Sequence, residues 1–173
     1  KQRIVEACDE KSLTLDSDMC MRFRAMLTQP RNRLMAEISW LPGVAPSRAS
    51  NILNNIQKEP NVLNNLISGL DPLVKCNVAA AFLRYHKPNN PSQIVNLLVA
   101  MSIAYDEIKS ENILTAINED RHLAGLPLIQ DLENIKEAIQ EHGKYLVCAM
   151  RDTLNNAPNP DIVFTKIVEH ITS

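Results

Sequence analysis

The stretch Gln29-Pro30-Arg31-Asn32-Arg33-Leu34-Met35-Ala36-Glu37-Ile38-Ser39-Trp40-Leu41-Pro42-Gly43-Val44-Ala45-Pro46-Ser47-Arg48-Ala49-Ser50-Asn51-Ile52-Leu53 decides how this chain is read. Pro30 suits the first turn of a helix, where its missing N–H costs nothing. Leu34, Ile38 and Leu41 then recur on one face, which predicts an amphipathic helix running to Trp40. Leu41-Pro42-Gly43 breaks that helix, and Pro46 opens another through about Lys58, with Ala49, Ile52, Leu53 and Ile56 apolar. Helix, proline-marked joint and helix is the unit repeated on both sides.

Upstream, Ile4, Val5 and Cys8 form a stripe over Arg3 to Glu10. Asp16 or Ser17 caps a helix through Leu27, with Met19, Phe23, Met26 and Leu27 at helical spacing. Downstream, Pro60 starts a short helix (Val62, Leu63, Leu66, Ile67) closed by Gly69, and Asp71-Pro72 starts a helix over Leu73 to Tyr85. Asn90-Pro91-Ser92-Gln93 has a capping-box arrangement. It opens the most apolar helix, with Ile94, Val95, Leu97, Leu98, Met101, Ile103 and Ala104, expected to be the central and most buried one. Ser110 is read as the cap of a helix through Ala124, stopped by Gly125. A long helix from about Leu128 to Leu154 places Leu132, Ile135, Ala138, Ile139, Leu146 and Met150 inward, with Gly143 as a possible kink or break. Asn159-Pro160-Asp161 caps the last helix, which carries Ile162, Val163, Ile167, Val168 and Ile171.

No segment shows sustained strand alternation, so the fold class predicted is all-α, a multi-helix bundle of about nine to ten helices. Ten prolines against four glycines, with only 4% aromatics, suit helices separated by proline joints and a core of Leu, Ile, Val, Ala and Met. At 173 residues the chain is expected to form one domain, 1–173. A weak seam at Lys87-Pro88-Asn89-Asn90 separates an arginine-bearing front lobe, 1–87, from an acidic back lobe, 88–173. The near-repeat of Asn51–Ile56 in Asn61–Leu66 has an offset too short for a helical solenoid unit.

The net charge of −2 excludes a generally basic nucleic-acid binder, so any phosphate binding needs a local patch. Charge is uneven: Arg22, Arg24, Arg31, Arg33 and Arg48 lie in the first third, and acids dominate from Asp106 to Glu141. Cys8, Cys20, Cys76 and Cys148 are scattered without a C-x-x-C pair, as expected of free thiols in a reducing compartment. No apolar run approaches the ~18 residues that span a membrane, and no signal peptide is visible. The expected location is cytoplasmic. The chain starts at Lys1 rather than Met, which leaves room for upstream sequence.

Catalytic and metal signatures are absent from the motifs. His86, His122, His142 and His170 are isolated, and Glu119-x-x-His122 has no second half to complete a di-metal bundle. Glu133, Glu137 and Glu141 read as a solvated acidic stripe at i,i+4 spacing. No G-x-S-x-G turn, Walker loop or Rossmann loop can be drawn. The expectation is a non-enzymatic domain with no catalytic residues, metal or cofactor.

Two resemblances give this bland frame a direction. Leu41-Pro42-Gly43-Val44-Ala45, then Ser47-Arg48-Ala49 and Ile52-Leu53, resembles the helix-hairpin-helix of DNA repair and replication proteins. It implies phosphate contact through the amides of Gly43 and Ala45, with Arg48 as counter-charge, at the positive end of a helix. The chain departs from that pattern at Ala45, where the family has glycine, and Pro46 removes one donor. Separately, residues 3–43 resemble the helical region of some bacterial J-domain-like proteins, with a phrase of the type Asn-Pro-Arg-x-Arg-Leu-x-Ala-Glu-x-x-Trp-Leu-Pro-Gly. That implies a chaperone-associated adaptor. The His-Pro-Asp triplet through which J-domains stimulate a DnaK-type partner occurs nowhere in the chain, so that activity is not implied.

The expected function is therefore a protein-interaction or adaptor module of a bacterial cytoplasmic protein. Its partner surface is placed at Arg31, Arg33, Trp40 and Arg48, with the Glu133-Glu137-Glu141 stripe as a second contact. The alternative is nucleic-acid binding through Gly43, Ala45 and Arg48, and a more distant one is oligomerisation through the acidic or the Ile94–Ala104 helix. Trp40 is expected to plug the joint, with partner anchoring as the sharper alternative. Arg33 and Glu37 are expected to pair at i,i+4, and Arg31 to reach the preceding helix.

Overall fold

The computed structural model describes residues 2–58, 67–86 and 90–172, of which the side chains of 57, 58, 171 and 172 are left aside. Among the described residues the chain is all-α, with nine helices and no strand. They are α1 (Gln2–Lys11), α2 (Ser17–Thr28), α3 (Pro30–Ile38), α4 (Pro46–Lys58), α5 (Pro72–His86), α6 (Pro91–Asp106), α7 (Ser110–Leu123), α8 (Leu132–Asn155) and α9 (Pro160–Thr172). The helix expected at Pro60, the second copy of the near-repeat and most of the Lys87–Asn90 seam lie outside the described residues.

Prolines and side-chain caps start most of these helices. Asp16 accepts the N–H of Met19 at 2.7 Å, and Asp131 that of Glu133 at 2.9 Å. Asn90 accepts from Ser92 and Gln93 ahead of Pro91. Asp71 accepts from Leu73 at 3.0 Å. Ser110 is not a cap: it is the first residue of α7, and Lys109 holds the cap position without a side-chain bond.

Two clusters of buried side chains hold the bundle together. The larger one runs from Leu41 through Ile52, Val74, Phe82, Ile94 and Met101 to Leu146 and Val163, joining α4, α5, α6, α8 and α9. It includes residues on both sides of the seam, so the two predicted lobes share one core. The smaller one joins Leu34 and Ile38 of α3, Ile113 and Ile117 of α7, and Ile135, Ala138 and Ile139 of α8, with Leu73. Helix α8 belongs to both clusters. At 24 residues it spans about 36 Å.

The most buried helix is α5, not α6. Its small residues Ala79 and Ala80 let neighbours approach from several sides, while Ile103 of α6 points outward at 55% exposure. Helix α8 runs unbroken through Gly143, because the missing side chain makes room for Tyr105: a Cβ there would collide with the tyrosine ring and hydroxyl.

At the N-terminal end the phase of one helix differs from expectation. Helix α2 buries Cys20 and half-buries Arg24 and Leu27, whereas Met19, Phe23 and Met26 face solvent. Helix α1, with Ile4, Val5 and Cys8 half-buried, packs mainly on α2. It is tied to the far end of α7 by Arg3, which donates to the Ala124 carbonyl at 3.0 Å.

Candidate functional site around the third helix

Helix α3 and the turn that follows it carry nearly every residue singled out in the sequence. Three polar sites surround them.

The first is a cleft of about 550 Å³ between α3, α8 and the loop 124–131. The loop is fastened in place. Asn118 donates to the Ile129 carbonyl at 3.0 Å and accepts the Ile129 N–H at 2.8 Å, and Arg121 donates to the Pro127 carbonyl at 3.0 Å. Arg121 also forks onto Glu37, with contacts of 3.1, 3.1 and 2.6 Å. The Arg121 side chain is 7% exposed and that of Glu37 23%, so the pair is desolvated and geometrically well matched.

That fork corrects the expected Arg33–Glu37 pair. Glu37 turns to α7, and Arg33 is left 9% exposed, its Nε without a hydrogen-bond partner among the described residues. Arg33 is therefore no surface contact: it lines the cleft from within. Arg31 stands at the mouth, fully solvated, and donates to Glu141 of α8 at 3.0 Å, which raises its pKa. It reaches α8 rather than the preceding helix, so the arginine front and the acidic stripe meet each other. Glu133 of that stripe pairs with Lys136 at 2.6 Å.

The second site lies at the C-terminal end of α3. Asn77 of α5 is buried and donates to the carbonyls of Ile38 and Trp40, each at 2.7 Å. With both its protons spent there, its Oδ1 faces His142 Nε2 at 2.6 Å, so that nitrogen carries a proton. His142 Nδ1 lies 3.2 Å from Ser39 Oγ, which also lies 2.7 Å from the Met35 carbonyl. Tyr145 stacks on the imidazole and accepts from Arg84 at 3.0 Å. Burial lowers the pKa of His142, keeping the ring neutral.

Ser39, His142 and Asn77 stand in the order of a nucleophile, a base and its orienter. The surroundings oppose acyl chemistry. Ser39 caps the carbonyl end of a helix, and the N–H groups of Ser39 and Trp40 both bond to carbonyls within α3. A developing oxyanion would meet the negative end of the helix dipole and no free amide from these residues. The arrangement works as a polar staple that joins α3, α5 and α8.

The third site is the turn itself. Gly43 adopts φ +72°, and its N–H donates to Asp120 of α7 at 2.9 Å. The amide assigned to a phosphate is thus held by the chain's own carboxylate. Arg48, the expected counter-charge, donates to the Ser68 carbonyl at 2.7 Å, and Ala45 accepts from Ala49 to begin α4. Trp40 does not plug the joint. It is 53% exposed, and Leu41, Pro42 and Asn77 close the space.

Asn77, Asp120 and Arg121 had no signal in the sequence beyond their polarity; each acts on a residue at least 39 positions away. Among the described residues no group of His, Cys, Asp and Glu could hold a metal ion, and no helix is long and apolar enough to cross a membrane. Comparison with protein-family models, curated proteins and solved structures gives no match.

Proposed function

We propose that this domain is a non-enzymatic protein-interaction module that docks a partner on the outward face of α2. The observation that carries the reading is the stripe Met19, Phe23 and Met26, spaced i, i+4 and i+7 and exposed at 43%, 48% and 41%. Met21 and, in the preceding loop, Leu13 and Leu15 are exposed as well. Apolar side chains concentrated in this way mark an interaction surface, and methionine adapts its shape to varied partners. The occupant that fits is the apolar face of an amphipathic helix, with acidic flanks for the exposed Arg22.

Exposed Trp40 supports the partner-anchor role rather than the plug, and Arg31 retains an open position at the cleft mouth. The setting we assign, an adaptor associated with chaperones in the bacterial cytoplasm, rests on the resemblance of residues 3–43. The loop between the two packed helices α1 and α2 reads Ser12-Leu13-Thr14-Leu15-Asp16, so docking rather than stimulation of a DnaK-type ATPase is the activity proposed.

The test is capture of partners by the full chain from bacterial lysate, with and without nuclease, beside the Phe23→Asp/Met26→Asp variant. A partner that survives nuclease, is lost in the variant and binds again as a purified helical segment supports the reading. Recovery that is equal for both proteins, or that collapses with nuclease, overturns it.

A further inference from the structure

Buried arginines are paired, because an uncompensated guanidinium held away from water is costly. Arg121 obeys this rule through Glu37, whereas Arg33, on the opposite wall of the same cleft, has no carboxylate partner among the described residues. Such a group calls for an explanation. Glu141 is engaged by Arg31, and Asp131 caps α8. Glu137, exposed on the rim, forms no direct ion pair among the described residues, although its charge acts on Arg31 at the mouth.

We infer that the cleft between α3 and α8 is a binding site for a small zwitterion, its carboxylate taken by Arg33 and its ammonium by Glu137. The chemistry selects the charge type. A planar guanidinium matches a carboxylate in two parallel hydrogen bonds. The lining sets Arg31, Arg33 and Arg121 against Asp131, Glu137 and Glu141, a balance that a phosphate dianion, with two charges of one sign, does not match. A molecule with one carboxylate and one ammonium matches that balance, one charge of each sign. Leu34, Met35, Leu128 and Ile129 add apolar wall, which favours an aliphatic body. A volume of about 550 Å³ lies within the range of small-ligand sites and accommodates an amino acid or a short peptide. The fastened loop 124–131 supplies a preformed wall, so the site is built before the ligand arrives.

This inference stands apart from the docking face on α2 and survives its failure. It is tested by calorimetric titration of the full chain with L-leucine and L-leucyl-L-leucine. N-acetyl-leucyl-leucine, leucyl-leucine amide and inorganic phosphate serve as the probes that lack one charge or carry the wrong one. Saturable binding of leucine or the dipeptide is expected, weakened at least tenfold by acetylation or amidation and by Arg33→Met. Leucine binding as tightly as the dipeptide identifies a free amino acid as the ligand; dipeptide alone identifies a peptide. Glu137→Gln, on the rim where folding is not at stake, weakens the zwitterions and leaves the acetylated probe unchanged.

A structural arginine and a binding arginine differ in a second readout. With no carboxylate to lose, Arg33→Met melts at the same temperature as the parent or a few degrees above it. No saturable binding of either zwitterion, phosphate binding more tightly than both, affinity unaltered in Arg33→Met, or a melting temperature lowered in that variant without loss of affinity overturns the inference.

Discussion

The carboxylate of Asp120, near the end of α7, accepts the N–H of Gly43 at 2.9 Å, clamping the α3–α4 turn to a helix 77 residues away. This single contact sets a negative charge where a phosphate-binding hairpin would need an open amide. It also explains the glycine. The turn places residue 43 at φ +72°, and a Cβ there would stand 3.0 Å from the Cβ of Ala116. Gly43→Ala therefore suffers both left-handed strain and a clash, and is expected to lose about 2–3 kcal/mol of stability. Asp120→Asn, which keeps the shape and an acceptor but loses the charge, should lose about 1 kcal/mol. Urea denaturation of the two variants checks the order. If Asp120→Asn loses more than Gly43→Ala, the charge and not the backbone conformation governs the turn.

Glu37 and Arg121 form the most enclosed ion pair among the described residues. Glu37→Ala leaves the Arg121 guanidinium buried without its carboxylate, in a cleft that Arg33 also lines. The expected loss is about 3–5 kcal/mol. Replacing both partners, Glu37→Met with Arg121→Met, removes the desolvated charges together and should recover most of that loss. Arg121 also holds the Pro127 carbonyl, so recovery should stop short of complete, and protease cleavage in loop 124–131 should remain faster than in the parent. Equal stability of the parent and Glu37→Ala would show that water reaches the pair freely.

How far this could be read from the sequence depends on what kind of signal each residue carries. Helices were legible because caps and prolines mark their ends: Asp16, Pro30, Pro46 and Asn90 all stand where the chain turns into a helix, whereas α8, expected from about Leu128, begins only at Leu132 behind the Asp131 cap. Facing was less legible. In α2 the stripes Met19-Phe23-Met26 and Cys20-Arg24-Leu27 differ by one position, and the more apolar one is on the outside. Periodicity tells that a helix has an apolar face without telling whether the parent fold or a partner covers it. Local charge arithmetic misled for a related reason. The i,i+4 pair Arg33–Glu37 is worth a few tenths of a kcal/mol, and the distant, desolvated Arg121 outbids it. Gly143 read as a breaker because the tyrosine that fills its place lies 38 positions earlier.

That tyrosine makes Gly143 an exception to helix propensity. Alanine at an exposed helical glycine normally gains up to about 1 kcal/mol. Here Gly143→Ala drives a methyl into the Tyr105 ring and should instead destabilise by about 1–3 kcal/mol. Tyr105→Ala vacates the space, so the double variant should be more stable than the sum of the two single changes predicts. A double-mutant cycle from thermal melts measures the coupling, and strict additivity would show that the ring swings aside without cost.

Titration separates the two buried groups at the centre of the bundle. Cys76 donates to the Met101 carbonyl, and burial pushes its thiol up to about 12, so it should resist alkylation in the native state while exposed Cys148 reacts at once. Its native pKa exceeds the unfolded value, so the unfolded chain releases that proton first and stability falls as pH rises above about 8.5. His142 acts at the other end of the scale. Its native pKa lies below the ordinary imidazole value of 6.5, so as pH drops through that value the unfolded chain gains a proton that the folded chain refuses. Stability should decline below about pH 6.5 and level off once the native ring is also protonated. A Gln at position 142 can still donate to Asn77 but does not titrate, so His142→Gln should be less stable at pH 7.5 yet lack the acid decline. Urea midpoints at pH 7.5, 6.5 and 5.5 for both proteins decide it: parallel declines would assign the acid limb to carboxylates elsewhere and remove His142 from the account.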